Sequence, residues 1–336
     1  MRLARYTLRR LALLVPVLVG VSLVTFVLIR VLPGDPVRTL MPATATEADI
    51  EAARQRFGLD DSIVTQYGIW LKGVVQGDLG TSFQTGVKVT TELGQRIGPT
   101  LELVTVAVLL ALLLAVPLGV LAARRARRLP DHAVRLAALS GGAVFELWLG
   151  LLLIYVFYYH LDLAPAPSGR IGTGIDLESV TTMEVVDSIL TWNGAALSSS
   201  LAHLALPAIT LAIVASAALT RGVRASALEV LSSEAYACAE AHGLRRGTLL
   251  LRYTVRGALV GLPALTALIY GYLLGGAVLV EFVFSWQGFG QWALNGLRFR
   301  DYPVIQTFVL VSAAFYVLVF LVADVVHALL DPRVRL

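Results

Sequence analysis

Long runs of apolar residues recur from end to end of the chain, separated by segments that carry most of its charge. At 1.5 Å rise per residue, a run of about 20 covers the roughly 30 Å hydrocarbon core of a bilayer. On this pattern we place membrane-spanning helices at about 11–29, 101–122, 134–158, 201–219, 259–283 and 304–329. The first run follows Arg2, Arg5, Arg9 and Arg10 but exceeds a signal-peptide core, and the Val31-Leu32-Pro33-Gly34-Asp35-Pro36 beyond it lacks small residues for cleavage, so it reads as a retained anchor.

Alternating the spans sorts the arginines. Arg2, Arg5, Arg9 and Arg10, then Arg124, Arg125, Arg127 and Arg128, then Arg221, Arg224, Arg245, Arg246, Arg252 and Arg256, and finally Arg333 and Arg335 fall on one side. The opposite side receives segments at about 30–98, 160–200 and 284–303, poorer in positive charge. The positive-inside rule places both termini in the cytoplasm of a multi-pass cell-membrane protein, with the long segments outside.

The first outer segment carries a helix signature over 46–58, with Glu47 and Asp49 early, Arg54 and Arg56 late and Gly58 at the C′ position, which implies a small external subdomain. The second is rich in turn residues (Pro165, Pro167, Gly169, Gly172, Gly174) and then mildly acidic. On the cytoplasmic side, 220–244 suggests two short helices: Ser226 and Glu229 stand as a capping box, and Ser232 or Ser233 caps the next helix. That next helix is slim, with Ala235, Ala237, Ala239 and Ala241, and Gly243 ends it. It suits close seating in a groove of another protein, and equally an ordinary amphipathic connector.

Composition agrees with a bilayer solvent: 57% of residues are apolar and 15% charged, with a mean hydropathy of +0.76. The formal charge of +4 comes from arginines beside apolar runs rather than from one basic face, which argues against nucleic acid as a partner. Cys238 is the sole cysteine, and His132, His160, His203, His242 and His327 show no ligand spacing, so no metal site is expected. Neither of the two lysines, Lys72 and Lys88, stands in a G-x-x-x-x-G-K-[ST] loop, so ATP hydrolysis would have to be delegated. No G-x-S-x-G or H-E-x-x-H occurs, and no catalytic residue is expected. Ionisable groups within or near spans are Glu146, Asp324 and His327, with Glu102 and Glu281 nearer the ends. Glu146 and Asp324 could line a pathway or make structural hydrogen bonds; an ion-coupled secondary transporter is the alternative they leave open.

The 220–244 stretch resembles the coupling loop, the so-called EAA loop, of bacterial ABC importer permeases that work with binding proteins. The chain as a whole is similar to the dipeptide/oligopeptide permease family, of the DppB and OppB type. Carrying this are Tyr6-Thr7-Leu8-Arg9-Arg10, Leu32-Pro33-Gly34-Asp35-Pro36, Phe57-Gly58-Leu59-Asp60, Gly77-Asp78-Leu79-Gly80-Thr81-Ser82-Phe83 and Thr100-Leu101-Glu102-Leu103. Further on follow Leu206-Pro207-Ala208-Ile209-Thr210-Leu211, Val280-Glu281-Phe282-Val283-Phe284-Ser285-Trp286, Arg300-Asp301-Tyr302-Pro303 and Leu330-Asp331-Pro332-Arg333. The chain departs from the family pattern at His242 for a lysine, at Gln287 and Phe145 for prolines, and at Phe320 for an asparagine.

The resemblance implies an all-α, type I importer permease of six transmembrane helices. Residues 1–98 would form a helix plus an outer segment, and 99–336 a five-helix core with its coupling loop at about 221–256. It implies a heterodimer with a second homologous permease, two ABC ATPase subunits that bind ATP and Mg, an extracytoplasmic substrate-binding protein, and membrane lipid around the spans. By residue, it carries ATPase contact to Glu234, Ala235, Ala239, Glu240, Ala241, His242, Gly243 and Leu244. The implied cargo is di- or oligopeptides; nickel, glutathione or an oligosaccharide are same-class alternatives.

Overall fold

The computed structural model describes residues 2–31, 37–38, 41, 46–56 and 58–330. The motif at 32–36, Phe57 and the closing Asp331-Pro332-Arg333 and Arg335 lie outside the described residues, as do the side chains of Arg2, Arg5, Arg9 and Arg10.

Apart from an isolated bridge between Thr81 and Lys88, every regular element among the described residues is helical. Helix α1 (Arg2–Val31) is followed by α2 (Glu47–Arg56) and α3 (Ile63–Val75). The long α4 (Val89–Arg124) leads into α5 (Leu129–Ala143) and α6 (Glu146–Leu153), the last continued by a π-helical segment, Ile154–His160. Next come α7 (Glu184–Leu190), the long α8 (Gly194–Leu231) and α9 (Glu234–Ala241). A single turn (Arg246–Thr248), a π-helical segment (Leu249–Val255) and α10 (Arg256–Val260) then lead to α11 (Leu262–Val283), α12 (Phe289–Arg298) and α13 (Tyr302–Leu330).

Among the described residues, Ala12–Val31, Val89–Arg124, Gly194–Leu231, Leu262–Val283 and Tyr302–Leu329 are each long and apolar enough to cross a membrane. The pair α5 and α6 passes the same test together but is bent by 101°. The continuous helix expected at 134–158 is therefore corrected to two pieces. Val144 and Phe145 take extended angles (ψ 132° and 126°), which interrupts the hydrogen-bond ladder without a proline. The ladder restarts at Glu146, whose carboxylate sits in a helical first turn, where the dipole favours negative charge.

The core is the α4–α8 pair. Leu103, Val104, Ala107, Ala111 and Ala115 of α4 bury themselves with Leu204, Ala208, Leu211, Ala215, Leu219 and Val223 of α8. Alanines let the two backbones approach, and at Gly119 a β-carbon would stand 2.7 Å from Val223 Cγ1, so only glycine fits there. With 36 and 38 residues, α4 and α8 reach about 55 Å, well beyond about 30 Å of hydrocarbon. Both therefore run further into the flanking segments than the apolar runs alone indicated.

Buried acids rivet the helix ends on the side of α7 and α12. The Glu281 carboxylate accepts from the Thr100 hydroxyl and, at 2.8 Å, from the Gln291 N–H, while Thr100 Oγ1 accepts from Phe289 N–H at 2.8 Å. Glu102 accepts from Glu184 N–H (3.1 Å) and Val185 N–H (2.8 Å), capping α7. Glu184 itself pairs with Arg170 at 3.2 Å; burial pushes its carboxyl above the usual range, and Arg170 pulls it back. Asp301 accepts from Ser82 Oγ (2.6 Å) and Gln84 N–H (3.1 Å), fastening the 78–85 loop to α13. Glu102 and Glu281 thus each hold helix ends together.

Within 46–58, the helix Glu47–Arg56 forms. Thr46 N–H donates to Asp49 Oδ2 at 3.0 Å and Asp49 N–H to Thr46 Oγ1 at 3.3 Å, a reciprocal cap. The Thr46 hydroxyl, which donates to Asp49 Oδ2 at 2.6 Å, and then the Thr46 N–H hold the Asp49 carboxyl below its ordinary range. At the other end Gly58 takes φ 64°.

Candidate functional site

Helix α9 is set at a fixed distance from α8 by two serines. Ser232 closes α8 through its N–H to Leu228 O at 3.0 Å, and Ser233 opens α9, its Oγ accepting from Tyr236 N–H at 3.3 Å. The expected first short helix is not separate. Residues 226–231 continue α8, so Ser226 and Glu229 form no capping box. Tertiary packing carries the helix through: a β-carbon on Gly257 would stand 2.5 Å from Val230 Cγ2, and one on Gly261 3.6 Å from Ser226 Oγ, so α10 lies directly against this stretch.

The far end of α9 is a full Schellman motif. Leu244 N–H reaches Ala239 O (3.4 Å) and Gly243 N–H reaches Glu240 O (2.9 Å), with Gly243 at φ 73°. His242 follows the last turn, its Nδ1 2.8 Å from Cys238 O. Ala239 turns inward and is buried. Glu234, Ala235, Ala237, Cys238, Glu240, Ala241, His242, Gly243 and Leu244 are exposed. The result is a low, exposed rail of mostly small side chains that carries Glu234 and Glu240, with Cys238 Sγ 3.6 Å from His242 Nδ1.

The base of this rail is held by a bracket that sequence reasoning missed. Asp131, in the first turn of α5, is fully buried and takes a bidentate contact from Arg224 of α8, Nε to Oδ1 at 2.7 Å and Nη2 to Oδ2 at 2.9 Å. Arg127 N–H donates to the same Oδ2 at 2.8 Å. One carboxylate thereby ties the α4–α5 turn to α8, about two turns before α8 ends. The Leu129-Pro130-Asp131 run reads as a helix start, but nothing local connects it to an arginine 93 residues away.

Glu146 and Asp324 belong elsewhere. Glu146 is 5% exposed, its Oε1 has no hydrogen-bond partner, and Gly276 of α11 makes room for it: a β-carbon there would meet Oε2 at 2.7 Å. The Tyr272 hydroxyl approaches the same carboxylate. Asp324 is half-buried on α13 and partnered. His327 Nδ1 is buried without a hydrogen bond. The two acids and the rail are not brought together. Among the described residues no group of three or more His, Cys, Asp or Glu side chains could hold a metal ion.

Comparison with known proteins adds the following. Residues 3–104 match the family model described as the N-terminal part of a binding-protein-dependent transport system membrane component. Residues 115–336 match the one described as binding-protein-dependent transport system inner membrane component. A probable D,D-dipeptide transport system permease protein of Escherichia coli is 39% identical over 322 residues, 96% of this chain and 94% of that protein. A di/tripeptide transport system permease protein of Pseudomonas aeruginosa is 37% identical over 328 residues, 97% of each. An oligopeptide transport system permease protein of Bacillus subtilis is 33% identical over 334 residues, 99% of this chain and all of that protein.

Proposed function

The chain belongs to the binding-protein-dependent transport system inner membrane components, and we propose that it forms one membrane-spanning half of an ATP-driven importer for di- or oligopeptides. The observation that carries this reading is end-to-end similarity to permeases named for dipeptides, di/tripeptides and oligopeptides. In it, α5 and α6 count as one bent span, giving six, with both termini cytoplasmic and the 30–98 segment outside. Residues 1–98 are the anchor and outer segment, and 99–336 the core.

The energy comes from partners. The chain has no phosphate-cradling lysine loop, so two ATPase subunits bind ATP and Mg and seat on the rail from Glu234 to Leu244. A second, homologous permease completes the pathway, and a binding protein delivers cargo from outside. ATPase closure pushes α9; because Ser232 and Ser233 leave no slack, the push passes to α8 and, through Asp131, to α5. Since α8 also packs along α4, the halves rock as packed units rather than bending locally. The reaction is conformational, and this chain makes and breaks no covalent bond.

Affinity purification through this chain in mild detergent tests the subunit composition: it recovers a second permease and an ATPase, and recovery of the chain alone counts against the assembly. Cargo is tested on the cognate binding protein, which di- or oligopeptides stabilise against melting. Stabilisation by a nickel chelate, glutathione or an oligosaccharide, and not by peptides, replaces the peptide assignment.

A further inference from the structure

The two helices of the first outer segment turn different faces outward. Exposed positions of α2 include Glu47, Asp49 and Glu51, a face that water solvates well. Those of α3 include Ile63, Val64, Ile69 and Val75, at 46%, 81%, 63% and 81% exposure. Val64, Gly68, Lys72 and Val75 follow one another at helical spacing along a single exposed stripe, with Ile63 and Ile69 flanking it. Lys72 is the only charge in the 13 residues of α3.

The other side of α3 fixes its depth against two spans. Tyr67 and Trp70 pack on Phe26 of α1, with ring centroids 5.1 and 5.9 Å away, and Gln66 Oε1 accepts from Arg30 Nε at 2.7 Å. The Tyr67 hydroxyl stands 3.0 Å from Ser22 Oγ. The span in α1 ends at Val31, so Phe26 and Ser22 lie about 7.5 and 13.5 Å inward from that end at 1.5 Å per residue. Trp70 and Gly73 also share a cavity wall with Tyr302 and Gln306, in the opening turns of the α13 span. Helix α3 thus lies alongside the last turns of one span and the first turns of another. About 20 Å long, it is too short to cross a bilayer itself.

The neighbours and the lysine indicate what covers the stripe. The span that α3 packs against exposes Leu23, Val24, Leu28 and Val31, so the two helices present aliphatic surface over the same depth. Protein interfaces are depleted in lysine. At a bilayer surface, by contrast, a lysine stem lies along the acyl chains while its ammonium reaches the headgroups.

We propose that α3 is embedded in the outer leaflet as an interfacial helix, with Val64 and Val75 against lipid acyl chains and the Lys72 ammonium at the phosphates. The inference rests on the proposed orientation of the spans and goes beyond it, because it returns part of the 30–98 segment to the bilayer. To test it, a photoreactive diazirine amino acid is placed at Val64, Val75, Val24 or Glu51 of the chain, in the complete complex in native membranes. Adducts are then identified by mass spectrometry. All four positions are exposed, so the probe fits without repacking. Phospholipid adducts at Val64 and Val75 are expected at a yield similar to that at Val24 of α1 and about tenfold or more above that at Glu51 of α2. Yields at Val64 and Val75 no higher than at Glu51 place the stripe in water and overturn the proposal. Adducts to a second permease or to the binding protein in place of lipid reveal a protein occupant and overturn it as well. Uptake is not the readout, so either negative result leaves the transport assignment standing.

Discussion

Gly243 occupies φ 73° with open space around its missing β-carbon, so a side chain there meets a backbone penalty rather than a clash. Left-handed geometry costs an L-residue about 1–2 kcal/mol, least for Asn. Gly243→Val is therefore expected to distort the end of the rail, lowering ATP-driven uptake at least tenfold while ATP hydrolysis and the amount of assembled complex persist; Gly243→Asn keeps most of the uptake. Normal transport by the Val variant contradicts the coupling role. At Asp131 the risk is electrostatic. Removing one partner of this bidentate pair leaves the other group's charge and hydrogen bonds uncompensated. Asp131→Ala is expected to lower the melting temperature of the solubilised complex, and Asp131→Ala with Arg224→Met to restore much of it. Lack of recovery shows that the bracket is not what Asp131 contributes.

Among the elements, the broken α5–α6 pair carries the sharpest local test. Gly276→Val would place a β-carbon 2.7 Å from Glu146 Oε2, an overpacking expected to cost about 1–3 kcal/mol. Shortening Glu146 to Ala in the same chain should recover most of that loss in a double-mutant cycle read by thermal melting. Additive losses show that the two residues do not meet. This break also marks where the sequence falls silent. Val144 and Phe145 are apolar and carry no proline, so hydropathy runs through them unbroken, whereas Thr46, Asp49, Gly58, Ser233 and Gly243 announce helix ends by residue type alone. Ser226 and Glu229 fit a capping box equally well on paper; contact with α10 overrides it. Bonds such as Asp131–Arg224 and Thr100–Glu281 join residues 93 and 181 positions apart, and a single sequence holds no record of such pairings. Gln287 gives a converse case: it takes φ 54°, which a proline ring cannot adopt, so the departure from the family pattern comes with its own turn.

For the whole molecule, the packed core is the axis on which the proposed motion turns. The buried seam of α4 and α8 spans the bundle, α9 hangs from one end of it through Ser232 and Ser233, and Glu102 and Thr100 fix α7 and α12 to the other. In the proposed function such a body transmits a push that its partners supply. The central claim is that transport by this chain is driven by ATPases docked on α9, and dipeptide uptake into proteoliposomes tests it most directly. The complete complex, supplied with binding protein and ATP, accumulates dipeptide, and uptake stops when ATP is withdrawn or when this chain is reconstituted alone under an ion gradient. Gradient-driven uptake by the chain alone, without ATP, would contradict the account.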